Sequence, residues 1–217
     1  MAGATAPDPP GASATGTAAP GASASLRLFV AVHPPPEAVA DLSARVARLR
    51  VARAAAAGTD TRLTDPAQAH LTVAFLGTVD TGRLVKVESA LGLAAETFRG
   101  GRSAHPVLRL GGGGSFGQGR STVLWVDVRG EVEALRVLGR LVRSGLRRGR
   151  LPCDEKPFTP HLTVARPGDR IDPADVAADR EALHGYLGPP WPATELVLVR
   201  SRQGPRPAYD RVAAWPL

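Results

Sequence analysis

The sequence predicts an α+β fold of two pseudo-symmetric lobes, each a small antiparallel sheet backed by helices, with a central cleft. Two observations predict it. Short strand-like and helix-like segments are mixed, without the regular strand–helix–strand alternation of a doubly wound parallel sheet. The word His-Leu-Thr-Val-Ala also occurs twice, at 70–74 and 161–165, once in each half of the patterned chain.

The elements follow in order. Residues 1–25 are, after Met1, Ala, Gly, Pro, Ser and Thr, with Asp8 as the only charged side chain. They offer nothing for a buried face and read as a disordered tail. They also lack the basic start and apolar centre of a secretory signal. The bilobal domain is expected over 26–217. Leu26 to Val32 is a strand candidate stopped by Pro34-Pro35-Pro36. Glu37 to Ala57 reads as one helix, with Val39, Leu42, Val46 and Leu49 at helical spacing and Gly58 as its stop. His70 to Leu76 is a strand closed by Gly77, and Gly82 to Ala95 a helix. Val107 to Leu110 and Thr122 to Val128 read as strands joined by a flexible Gly-rich loop, Gly111 to Gly119. Glu131 to Leu146 is an amphipathic helix carrying an arginine stripe, Arg136, Arg140, Arg143 and Arg147. His161 to Ala165, Glu195 to Arg200 and Tyr209 to Ala214 complete the strands.

Composition bounds the function. The chain has 217 residues, enough for one ordinary domain or two small lobes. No apolar run approaches the roughly 18–20 residues that span a bilayer. One cysteine, Cys153, excludes an internal disulfide framework and any multi-cysteine zinc site, which makes the cytoplasm the expected compartment. The net charge is +7, and all basic residues but Lys86 and Lys156 are arginine. Guanidinium pairs with phosphate in two-point contacts, which suits nucleic acid or phosphorylated substrates. The same composition also fits a GC-rich coding sequence.

The repeated word carries the chemistry. Residues i and i+2 of a strand share a face. His70 and Thr72 therefore face one way, with Leu71, Val73 and Phe75 opposite; His161 and Thr163 repeat the arrangement against Leu162 and Val164. Facing lobes would line one cleft with two imidazoles and two hydroxyls. Opening a cyclic phosphodiester needs a base for water and an acid for the leaving alkoxide, and histidine holds either role near neutral pH. Threonine hydroxyls can donate to non-bridging oxygens as charge builds there. Nothing in this proton chemistry requires a metal or other cofactor.

The sequence resembles the 2H phosphoesterase superfamily, whose members carry two His-x-Thr motifs, and within it the RNA 2′,3′-cyclic phosphodiesterases, also called the 2′-5′ RNA ligase family. The resemblance rests on Arg27-Leu28-Phe29-Val30-Ala31, on His70 through Gly77, on Phe116 to Trp125, on Phe158 through Arg166, and on the closing stretch from Ser201 through Tyr209 to Leu217. It implies a two-lobed fold and hydrolysis of RNA 2′,3′-cyclic phosphate ends to 2′-phosphomonoesters. Carried over, His70 is the proton donor to the departing 3′ oxygen and His161 the proton acceptor from water. Thr72 and Thr163 hold the phosphate. Arg166 is a further phosphate ligand by its place after the second motif, although strict alternation sets it opposite His161. Arg27 is a second candidate phosphate contact.

The expected partner is RNA with a 2′,3′-cyclic phosphate end, or a small cyclic nucleotide, acted on by a monomer. The alternatives are a phosphodiesterase for small cyclic nucleotides or 2′-5′ linked oligonucleotides, and a non-catalytic RNA-end binder. Other residues read as incidental. Gly111 to Gly114 lack the Gly-Lys-Ser/Thr continuation of a phosphate loop. His33, His105 and His184 read as loop histidines, no His-Glu-x-x-His helix exists, and Cys153 sits in a loop.

Overall fold

The structure, a computed structural model, describes residues 24–155, 158–204 and 207–217. The expected tail lies outside them except for Ala24 and Ser25, and Ser25 already belongs to the first strand. The strands are β1 (Ser25–Val32), β2 (Leu71–Asp80), β3 (Val107–Phe116), β4 (Val123–Gly130), β5 (His161–Ala165), β6 (Trp191–Pro192), β7 (Glu195–Arg202) and β8 (Ala208–Pro216). The helices are α1 (Pro36–Val46), α2 (Arg50–Ala56), α3 (Leu84–Gly100), α4 (Val132–Arg148) and α5 (Pro173–His184).

All strands join one antiparallel sheet in the order β6-β3-β4-β5-β2-β1-β7-β8. The two expected lobes are its halves, β8-β7-β1-β2 and β5-β4-β3-β6. They meet where the two copies of the repeated word pair, at Leu71 and Leu162. Leu63 adds a bridge to Ala165 just before the first copy. Leu71 and Leu162 are buried, and each contributes about 1.5–3 kcal/mol of apolar burial to the seam.

The helices cover one face and cross between halves. α1, which follows β1, packs on β3, while α4, which follows β4, packs on β2. α3 lies on β8 and α4; α5 lies on β3 and β4, with α2 against it. Each half-sheet is thus backed partly by helix from the other half of the chain.

Three local differences from the sequence pattern have physical causes. The single helix expected over 37–57 breaks at Leu49, whose backbone is extended. The restart is capped from a distance: Arg50 and Val51 N–H donate to the Asp179 carboxylate, both at 2.8 Å. Asp179 is buried on α5, a helix the pattern did not reveal. His184, expected in a loop, is the last residue of that helix. Strand β2 runs three residues past Gly77, which takes φ 70° at a register shift against Leu28 and Phe29.

The third difference is the glycine run. Gly111 to Gly114 lie inside β3, mostly buried, and are not a flexible loop. A Cβ on Gly113 would collide with the Arg180 carbonyl of α5, and one on Gly114 with the Trp125 ring. The glycines let a helix and an indole approach the strand backbone, a use that composition alone does not distinguish from a loop. Gly113→Ala is therefore expected to lower stability by about 1–3 kcal/mol. Gly100→Ala, where a Cβ meets nothing within 4 Å, is expected to be neutral or better. Urea unfolding of the two variants checks the contrast.

Candidate active site

His70 precedes β2 by one residue and His161 opens β5, so the antiparallel seam at Leu71 and Leu162 sets each histidine opposite the other copy's threonine in the middle of the sheet. Both are anchored alike. His70 Nδ1 lies 2.7 Å from the Gln68 carbonyl, and His161 Nδ1 lies 2.7 Å from the Thr159 carbonyl. A carbonyl only accepts, so each Nδ1 carries the proton and donates it. That leaves each Nε2 as the nitrogen for proton transfer. Both rings line one cavity of about 400 Å³ together with Thr72, Thr163, Arg27 and Arg166. All six residues singled out in the sequence are thus brought together.

Alternation fails at the same place in both copies. β2 shifts register between its pairs to Val30 and Ala31, and β5 shifts between its pairs to Leu124 and Trp125. Val73 and Ala74 are both buried, as are Val164 and Ala165. The next residue in each copy then returns to the cleft. Phe75, expected on the apolar face, is 51% exposed and lines the cavity. Arg166, which alternation set opposite the histidines, lines it too. A β-bulge re-aims side chains in this way.

Aromatic side chains enclose both imidazoles. Phe29 lies 4.8 Å from the His70 ring and Tyr209 meets it edge-on at 5.1 Å. Phe116 meets His161 edge-on at 5.0 Å, with Trp125 at 5.8 Å. Sequence reasoning assigned no role to Phe29, Phe75, Phe116, Trp125 or Tyr209, although all lie within the stretches that carry the family resemblance. Phe75 is itself clamped: its N–H donates to Asp154, which Arg143 approaches at 3.5 Å.

The two imidazoles differ electrostatically. Burial pushes the His70 pKa down to about 4, helped by His33, His161 and Arg166 and opposed by the bond to Gln68. Burial also lowers that of His161, with Arg166 in the same sense, while the Thr159 bond and the Asp127 carboxylate hold it up. Asp127 is the strand neighbour of His161 on β4. His33, 6.2 Å from His70, is also lowered, first by burial. Among the described residues, no group of three or more His, Cys, Asp or Glu side chains is placed to hold a metal ion, and no helix is long and apolar enough to cross a membrane.

The α4 arginine stripe is a poor match to a free phosphate track. Arg136 and Arg140 share Glu133, and the mostly buried Arg143 pairs with Asp154.

The cavity thus holds a matched pair of Nδ1-anchored imidazoles, each two residues before a threonine, where two adjacent antiparallel strands meet. Residues 31–205 match the 2′-5′ RNA ligase superfamily, and the chain belongs to it. It is 32% identical over 151 residues to an RNA 2′,3′-cyclic phosphodiesterase of Geobacillus stearothermophilus; the match covers 68% of this chain and spans 45% of that relative's length. It is 29% identical over 197 residues to an RNA 2′,3′-cyclic phosphodiesterase of Thermus thermophilus, covering 85% of this chain and 86% of the relative. The fold superposes on the crystal structure of the Thermus thermophilus protein TT0787 with a TM-score of 0.67 at 29% identity, covering 88% of this chain and 98% of the other.

His70 is held neutral in the folded state, with a pKa below its unfolded value of about 6.5. Its stabilising contribution is therefore complete above pH 6.5 and is lost as pH falls toward 4. Replacing it by glutamine is expected to shrink the stability lost between pH 6.5 and 4. Urea midpoints across that range, compared with wild type, measure the effect.

Proposed function

We propose that this protein hydrolyses the 2′,3′-cyclic phosphate at RNA ends and leaves a 2′-phosphomonoester, by acid–base catalysis with His70 and His161. The observation that carries the reading is the matched pair of anchored imidazoles presenting Nε2 into one cavity beside two threonines. The names of the two RNA 2′,3′-cyclic phosphodiesterase relatives support the reaction.

The chemistry proceeds in one displacement. His161 Nε2 takes a proton from water as the water oxygen attacks phosphorus. The bond from phosphorus to the 3′ oxygen breaks, and that oxygen takes the proton from His70 Nε2. Charge on the non-bridging oxygens is met by the hydroxyls of Thr72 and Thr163 and by Arg166 and Arg27, which line the same cavity. The direction of transfer fits the surroundings. His33, His161 and Arg166 all disfavour the protonated form of His70, which is the stronger acid once protonated. His161 has Asp127 to stabilise the proton it gains. The phosphodiester anion, by its own charge, favours the protonated form of His70 when it binds.

The rest of the reading is a monomer acting in the cytoplasm, the compartment that fits a single reduced thiol. A second reading, hydrolysis of a small cyclic nucleotide, is favoured by the size of the cavity: about 400 Å³ suits one nucleotide.

The test is a short RNA with a 2′,3′-cyclic phosphate end, assayed in EDTA. Wild type is expected to give the 2′-phosphate. His70→Ala and His161→Ala are each expected to lose about 10²–10⁴ in kcat. Product with a 3′-phosphate, or turnover that survives both substitutions, overturns the mechanism. A pH series adds a second check. Both histidines lie below their ordinary value in the free protein, so kcat/KM is expected to peak on the acid side of pH 6.5. The alkaline limb of kcat is expected at higher pH, because bound phosphate retains the His70 proton.

A further inference from the structure

A second cavity, of about 510 Å³, continues from the catalytic cleft, and Arg166 lines both. Its walls come from the β3–β4 turn, the segment after β5 and the segment before β2. They carry four guanidiniums, from Arg62, Arg120, Arg166 and Arg170, against two carboxylates, Asp60 and Asp169. Arg170 meets Asp60 at 2.8 Å, and Arg62 lies 3.9 Å from the same carboxylate. Arg120 meets Asp169 at 2.9 Å. Three arginines share two carboxylates even before Arg166 is counted, so the groove keeps a surplus of positive charge. The side chains of Arg62, Arg120 and Arg170 are all more than half exposed, free to turn toward a ligand.

The backbone supplies a second, independent observation. Arg62 has φ 43°, a left-handed conformation that costs a side-chain-bearing residue about 1–2 kcal/mol. The sheet maintains it there: Arg166 N–H donates to the Arg62 carbonyl at 3.1 Å, and Leu63 bridges to Ala165. The strained residue is thereby locked beside Arg166, which lines both cavities. Strain of this kind concentrates at ligand clamps.

We propose that this groove holds the phosphodiester backbone of the RNA leading into the reacting end, so that a single-stranded oligonucleotide binds in preference to a mononucleotide. The inference rests on the cyclic phosphodiesterase reading for the identity of the ligand. Arginine suits the task because its planar fork meets two phosphate oxygens at once. Such contacts hold the strand in place without reading its sequence.

The experiment measures binding, which does not depend on turnover. The probe is a fluorescein-labelled RNA hexamer with a 3′-phosphate, followed by anisotropy across a range of salt, with 2′,3′-cyclic AMP as competitor. The hexamer is expected to bind wild type at least tenfold more tightly than the mononucleotide. The triple variant Arg62→Gln, Arg120→Gln, Arg170→Gln is expected to lose about tenfold in hexamer affinity. Its log–log salt slope is expected to fall by about 2, at roughly 0.7 per lost contact on a single strand. Arg120→Gln alone, in a fully exposed turn, is expected to lose about threefold and guards against misfolding of the triple variant. The Arg140→Gln, Arg148→Gln pair on α4 controls for general charge and is expected to lose less than twofold. Equal affinity of wild type for hexamer and mononucleotide overturns the proposal. So does an equal loss in the groove and α4 variants. Hexamer binding without turnover of any cyclic phosphate would instead count against the hydrolase reading and leave the groove standing.

Discussion

The antiparallel pairing of β2 with β5 at Leu71 and Leu162 is the constraint on which the rest of the structure depends. It merges two four-stranded halves into one sheet. It also sets two identical five-residue words side by side although 91 positions separate them in the chain. The apolar side chains of each word turn toward the helices, and the imidazole and hydroxyl turn the other way. The interaction that closes the core thus also assembles the site. Cross-packing of α1 and α4 reinforces the seam, since each helix covers strands from the opposite half.

The repeat brings near-symmetry, and the surroundings remove it. Both histidines give their Nδ1 proton to a carbonyl two residues earlier, and both strands bulge after the threonine. The residue after each word then reaches the cleft, as Phe75 in one half and Arg166 in the other. One side offers an exposed aromatic surface; the other offers a cation that both imidazoles feel. Asp127 beside His161 and His33 beside His70 complete the electrostatic difference between the two imidazoles.

The glycines of β3 and the buried Asp179 show how much of the helical layer rests on close approach. A strand without side chains admits α5 and the Trp125 ring. Asp179 of that helix then caps α2 through two backbone bonds. Trp125 lies against Phe116, and both lie against His161. Packing on the helical side of the sheet is therefore linked to the wall of the cavity that holds the two histidines.

By itself the sequence determined the fold class, most strands and two helices in outline, and it singled out the candidate residues His70, Thr72, His161 and Thr163 by pattern and Arg166 and Arg27 by family resemblance. These were legible because strand and helix periods are local and because a repeated histidine word has few packing explanations. Tertiary structure alone decided the rest. The bulges that turn Phe75 and Arg166 into the cleft depend on partner strands, and alternation along one strand cannot register them. The break before α2 depends on a carboxylate 128 and 129 positions away. Whether Gly111 to Gly114 form a loop or a strand depends on what packs against them. The difference between two otherwise equivalent imidazoles depends on which charges surround them, and that environment exists only once the two halves of the sheet have met.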